Sequence, residues 1–208
     1  MSDVSILIYA HDPMCSWCWG FRPTLQALRN QLPKQIRFQH LLGGLAADSD
    51  QAMPIEMQQS LQNTWRSIQQ KIPGTEFNFA FWQQCQPRRS TYPACRAVLA
   101  ARTLQADCEE AMILAIQTAY YTRAMNPSNA DTLQQLASEI GLDSDDFLQT
   151  LHREETEQQL QQEIQHARQI GMNSFPSLVL QTPDQHYWPI AVHYTDAKPM
   201  LKTIESYG

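Results

Sequence analysis

Charge is sparse in this sequence and nowhere concentrated. Of 208 residues only 17% are charged, 15 basic against 21 acidic, for a net charge of −6. No cluster of Lys or Arg stands out. Neutralising phosphates needs a concentrated basic face, so nucleic acid is not an expected partner. Long apolar runs are missing as well. The longest near the amino end, VSILIYA at residues 4–10, falls far short of a bilayer span, and no membrane partner is expected. It follows Ser2 and Asp3 without a basic region or a cleavage site, so it does not read as a secretion signal. The five cysteines are an odd number and cannot all pair within one chain. With no signal, they point to the cytoplasm, where structural disulfides are rare. There is no internal repeat and no linker rich in Gly, Ser or Pro.

Apolar residues make up 43% of the chain, enough for a real core. Much of the polar remainder is glutamine, as in EMQQSLQNTW and EQQLQQEIQ, where apolar residues keep helical spacing. These tracts read as solvated helix faces. The length suits one sizeable domain, or one domain carrying an insertion.

Residues 4–10 are β-branched and apolar without polar alternation, the signature of a strand buried on both faces. FRPTLQALRNQLP then places Phe21, Leu25, Leu28 and Leu32 at helical spacing, with Pro23 in the first turns. QIRFQHLLGG, 35–44, reads as a second strand ending at paired glycines. From 46 to 171 the pattern is helix after helix: 50–71, 91–106, 108–125, 130–140, 144–151 and 154–170. Pro93 and Asn129 give start signals, and Gly141 and Gly171 give stops. The aromatic stretch 74–90 has no assignable period. SLVLQ at 177–181 and HYWPIAV at 186–192 form a hairpin across TPDQ, and TDAKPMLKTIESY closes the chain as a helix. The order βαβ, helices, ββα is an α/β thioredoxin fold with a large all-helical insertion. Its expected divisions are 1–45 plus 172–208 for the fold and 46–171 for the insertion.

Between the first strand and its helix stands HDPMCSWCWGF. A redox dithiol needs one exposed, acidified thiol and a second within bonding reach, and CxxC on a helix's first turn supplies both. The Cys15 sulfur faces free backbone N–H groups at the positive helix end, which favour the thiolate. Cys18 lies one turn in, more shielded, able to displace a mixed disulfide. Ser16 can offer a hydroxyl to the sulfur, and Asp12 can act as a proton relay or hold a turn. Zinc is the rival reading, since Cys15 and Cys18 are half a tetrahedron with His11 nearby. A closed site needs a second close pair, which Cys85, Cys95 and Cys108 do not make, so no metal is expected. In GMNSFPSLVL, Pro176 opens a buried strand where it forfeits a ladder bond. In thioredoxin folds such a proline is cis and sits beside the dithiol.

DPMCSWCWGF after a strand, the helical insertion, and the F-P-S-L-V-L block before a hairpin and helix resemble the DsbA-like family. STYPACRAVLAAR resembles an insertion helix of its cytoplasmic branch, the predicted disulfide isomerases related to FrnE-type proteins. The resemblance covers essentially the whole chain. It implies a protein disulfide oxidoreductase or isomerase with Cys15 attacking, Cys18 resolving and Pro176 as the cis-proline. Disulfide-containing or unfolded proteins would be substrates and a thiol reductant the partner. No bound cofactor is implied, with glutathione a candidate redox partner. The central dipeptide departs from DsbA's Pro-His. Ser16-Trp17 carries no histidine to stabilise the thiolate, so a strongly oxidising potential does not carry over.

Trp17 is expected on the rim of the site and, with Phe175, forms a candidate apolar platform for extended peptides. Trp19 and Phe21 read equally as core. Cys95 and Cys108 read as buried core thiols, and a second redox pair of Cys85 with Cys95 stays open. A competing enzyme class on a similar scaffold is the kappa-class glutathione transferases and hydroxychromene-carboxylate isomerases. These place Ser where Cys15 stands and need no second cysteine. A third alternative is a non-catalytic peptide-binding module.

Overall fold

The central strand is the first one, and the reason is its composition. A computed structural model describes residues 4–207. In it β1 (Ser5–His11) lies between β2 (Ile36–Leu42) and β3 (Ser177–Gln181), and β4 (Tyr187–Ile190) forms the far edge, giving the order β2-β1-β3-β4. β2 runs parallel to β1, β3 antiparallel to β1, and β4 antiparallel to β3. Alternate β1 side chains enter two cores. Leu7 and Tyr9 join Phe21, Leu25 and Leu28 of α1 (Ser16–Arg29), together with Met200, Leu201 and Ile204 of the last helix. Ile8 and Ala10 join Leu41, Ala167, Met172 and Val179 on the opposite face. A strand buried on both faces has no polar alternation to show. Pro189 falls on the edge strand β4, where its missing N–H interrupts no inner ladder.

The chain divides into two compact units. One runs to Gly43 and resumes at Glu163; the other is Gly44–Gln162. The division falls inside α8 (Glu154–Gln169). Its second half belongs with the sheet, because Ala167 packs into the β1 core and Glu163 Oε2 accepts the Leu42 N–H at 2.8 Å.

The helical unit holds α2 (Ile55–Lys71), α3 (Phe81–Gln84), α4 (Tyr92–Leu104), α5 (Cys108–Thr122), α6 (Ala130–Glu139), α7 (Ser144–Leu151) and the start of α8. Its centre is α4, packed against α5, α6 and α7 through the small residues Ala94, Cys95, Ala97, Ala100 and Ala101. The expected helix 50–71 begins instead at Ile55, after Pro54, which restricts the residue before it to extended backbone. The unassigned stretch 74–90 contains α3 and places Phe77, Phe79, Phe81 and Trp82 around Trp65. The closing helix, α9, spans Lys198–Tyr207. Among the described residues no helix is long and apolar enough to cross a membrane.

Candidate active site

Cys15 is the N-cap of α1. Its backbone is extended (φ −82°, ψ 113°), and its sulfur accepts the Cys18 amide N–H at 3.4 Å. A helix end leaves such amides without intrahelical partners, and here one is aimed at a sulfur. The turn before it is built by Asp12: its carboxylate accepts the Met14 N–H at 2.7 Å and its carbonyl accepts the Cys15 N–H at 2.9 Å. Ser16 is half-exposed, and the Cys15 sulfur takes its amide hydrogen bond from Cys18.

Across from the helix end, the Phe175–Pro176 bond is cis, and the Phe175 carbonyl accepts the Cys15 S–H at 3.4 Å. Pro176 is buried and Phe175 half-buried. The Phe175 ring lies so close over Gly43 that a Cβ there would fall 1.9 Å from Cζ. Trp17 is half-buried, not fully exposed on a rim, with its ring 5.0 Å from Tyr194. Thus Cys15, Cys18, Asp12, Phe175 and Pro176 converge, and Trp17 flanks them. Trp19 is half-buried and Phe21 fully buried in the sheet core.

Cys18 is only 1% exposed. Burial pushes its thiol well above the usual range, and hydrogen bonding and charge from Cys15 push the same way; the Asp12 backbone and the Tyr9 hydroxyl oppose them. Tyr9 and Tyr194 were not singled out in the sequence, yet both phenols feel both thiols. Burial first, then Cys15 and Cys18, take Tyr194 up to about 12; burial likewise raises Tyr9. Period-two alternation along β1 is the one signal that aligns Tyr9 with the dithiol side. Behind Tyr9, at 5.0 Å and almost parallel, stacks the fully buried His11. Its Nε2 lies 3.2 Å from Nδ1 of His40. Burial, then His40, hold the His11 imidazole well below its usual range, so it is neutral at neutral pH.

All five cysteines are free thiols. Cys85 donates to the Ala124 carbonyl at 3.1 Å and is raised by burial, while Cys95 is fully buried within α4. Among the described residues no group of three or more His, Cys, Asp or Glu is placed to hold a metal ion.

A family model described as thioredoxin matches residues 9–195. The chain belongs to the thioredoxin family. Its fold is shared, at a TM-score of 0.85 and 24% identity, with a candidate protein disulfide isomerase from Nitrosomonas europaea, covering 98% of this chain and 97% of that one. The cytosolic disulfide reductase DsbM from Pseudomonas aeruginosa aligns at a TM-score of 0.77 and 21% identity, over 97% and 98% of the two chains. DsbM has also been solved with GSH. The ClpXP adapter protein SpxH of Halalkalibacterium halodurans is 22% identical over 172 residues, 81% of this chain and 56% of its own. The chain therefore spans little more than half the length of the curated relatives it matches. Along the chain, the helical unit Gly44–Gln162 comes between β2 and β3.

Proposed function

We propose that this thioredoxin-family chain is a thiol–disulfide oxidoreductase acting on protein disulfides, with Cys15 as nucleophile and Cys18 as resolving thiol. One observation carries the reading: the Cys15 sulfur caps α1, takes the Cys18 amide, and lies against the backbone beside Pro176. The Cys15 thiolate attacks one sulfur of a substrate disulfide, forming a mixed disulfide and expelling the other sulfur as a thiolate. Cys18 then attacks the Cys15 sulfur, the Cys15–Cys18 disulfide forms, and the substrate leaves as a thiol. Two equivalents of a thiol reductant restore the dithiol. Glutathione is the reductant we favour, supported by the structure of DsbM with GSH. Reductase or isomerase work is the proposed net direction, in a reducing cytoplasm. That direction also fits the FrnE-related branch that the sequence motifs resemble. The dithiol, where kappa-type transferases place a serine, favours redox work over non-covalent glutathione chemistry. Trp17 and Phe175 are the proposed contacts for an extended substrate.

The test is insulin reduction by the wild-type protein and two variants. Cys15→Ala is expected to lose turnover altogether, and Cys18→Ala to accumulate a mixed disulfide visible on a non-reducing gel. Turnover surviving in Cys15→Ala overturns the reading.

A further inference from the structure

One arginine of the helical unit lacks a counter-ion. Arg96, Arg102 and Arg123 each hold a carboxylate at 2.6–2.9 Å, whereas among the described residues no carboxylate lies within ion-pair distance of Arg88. What holds its guanidinium is neutral: Nη2 donates to the Ser128 carbonyl at 2.7 Å and to Asn129 Oδ1 at 2.8 Å. Nε is enclosed without a partner, and Nη1 makes no hydrogen bond among the described residues. A guanidinium does not shed its proton, so this half-buried group keeps a charge that water reaches only in part. Its surroundings are tied from both sides. Asn126, 5% exposed, donates to the Gln86 carbonyl at 3.0 Å, and Ser128, 6% exposed, donates to the Ser90 carbonyl at 2.7 Å. The segments that carry Arg88 and Asn129 are thereby fixed to each other around the charge.

Arg88, Asn126 and Asn129 line a cavity of about 410 Å³, together with Gln84, Cys85 and Thr132; no Asp or Glu lines it. The Cys85 S–H donates to the Ala124 carbonyl at 3.1 Å, and burial raises that thiol, so it brings no negative charge to the cavity. Asn129 gives its side-chain oxygen to Arg88 and caps no amide of α6, which leaves its NH2 as a donor. The Thr132 hydroxyl is a further donor. We propose that this cavity binds a small oxyanion, a phosphate ester or a carboxylic acid, with Arg88 as the counter-charge and Asn129 and Thr132 as supporting donors. The planar fork of a guanidinium matches the paired oxygens of either group. Charge selects the class: the cavity offers donors and one uncompensated cation, and a cationic or wholly apolar ligand would leave that cation unanswered. The site is independent of the thiol chemistry proposed for Cys15 and Cys18.

Thermal unfolding of the whole protein tests the site, first in chloride and then with sodium phosphate or sodium succinate replacing part of the chloride at constant ionic strength. Wild type is expected to gain about 2–4 °C in midpoint once the anion reaches about five times its dissociation constant. Arg88→Gln is expected to lose that gain. Asn129→Asp supplies the counter-charge from within the chain and guards against a variant that merely folds poorly. It is expected to unfold no lower than wild type in chloride and to gain nothing from either anion. A gain from phosphate alone that Asn129→Asp abolishes assigns phosphate esters, and one from succinate alone assigns carboxylic acids. No gain in wild type overturns the site. So does an equal gain in Asn129→Asp, which is what a general salt effect produces, or a lower midpoint for that variant in chloride.

Discussion

At the scale of single residues, the position most tightly specified beside the dithiol is a glycine. Gly43 directly follows β2, its N–H donates to the His11 carbonyl at 2.8 Å, and the Phe175 ring occupies the place where its Cβ would be. An added Cβ would fall 1.9–2.8 Å from three atoms of that ring. The ring is attached to the backbone whose carbonyl meets Cys15, so it has little freedom to withdraw. Gly43→Ala is therefore expected to lose about 1–3 kcal/mol of stability, the range for overpacking a close-packed site. Urea unfolding followed by far-UV circular dichroism measures it; a midpoint equal to wild type would show that the ring moves aside without cost. The paired glycines of LLGG were legible in the sequence as a strand end. Their separate tasks were not. Gly44 supplies a backbone with φ +60°, whereas Gly43 supplies an empty space that only the distant Phe175 defines.

At the scale of elements, what could be read was what local sequence dictates. The strand of residues 4–10 and the helices 130–140 and 144–151 carry their own periodicity, and the observed β1, α6 and α7 agree within a residue or so. The CxxC at a helix start and the proline opening β3 were equally local. Residues 74–90 were not legible, because nothing within them repeats. Their aromatic residues gather around one side chain elsewhere. Trp65 on α2, 1% exposed, stacks on Phe77 at 4.8 Å and meets Trp82 at 5.0 Å, Phe79 at 5.5 Å and Phe81 at 6.2 Å. From α5 come Tyr120 at 5.7 Å and Tyr121 at 5.6 Å. Aromatic pairs at such distances add to the burial of a large ring. Trp65→Ala is expected to cost about 3–5 kcal/mol and to release the segment 74–90. Hydrogen exchange would report it as lost protection at the amides of Asn78 and Cys85, which donate to the carbonyls of Tyr121 and Phe81. Retained protection at those amides would show that the segment is ordered without the ring.

At the scale of the whole molecule, the same topology that places the dithiol at the end of α1, with Cys15 6% and Cys18 1% exposed, hides a titratable column behind it. Tyr9 and His11 come from β1, His40 from β2 and Tyr194 from the segment before α9, positions too far apart in sequence for any motif to join them. The sheet order brings them together, which is why the sulfurs were legible and their inner surroundings were not. Burying His11 has a cost that depends on pH. Its ring is fully enclosed and its Nδ1 finds no hydrogen-bond partner among the described residues, so a proton there would be poorly solvated. Burial and the neighbouring His40 accordingly depress its protonation in the folded state, whereas in the unfolded chain it titrates near the ordinary value of 6.5. Below about pH 6.5 the unfolded state binds a proton that the folded state does not, so stability falls as the pH falls. The contribution is fully present above that value and is lost progressively down through the folded-state value. Urea midpoints measured between pH 7.5 and pH 5, above the range where carboxylates dominate, are expected to decline for wild type, with the unfolding equilibrium changing by up to about tenfold per pH unit. His11→Asn keeps a neutral polar group of similar reach and cannot take up that proton, so its decline is expected to be shallower over the same interval. Parallel curves for the two proteins would mean that His11 is protonated as readily inside the fold as outside it, and the neutral imidazole stacked on Tyr9 would have to be given up.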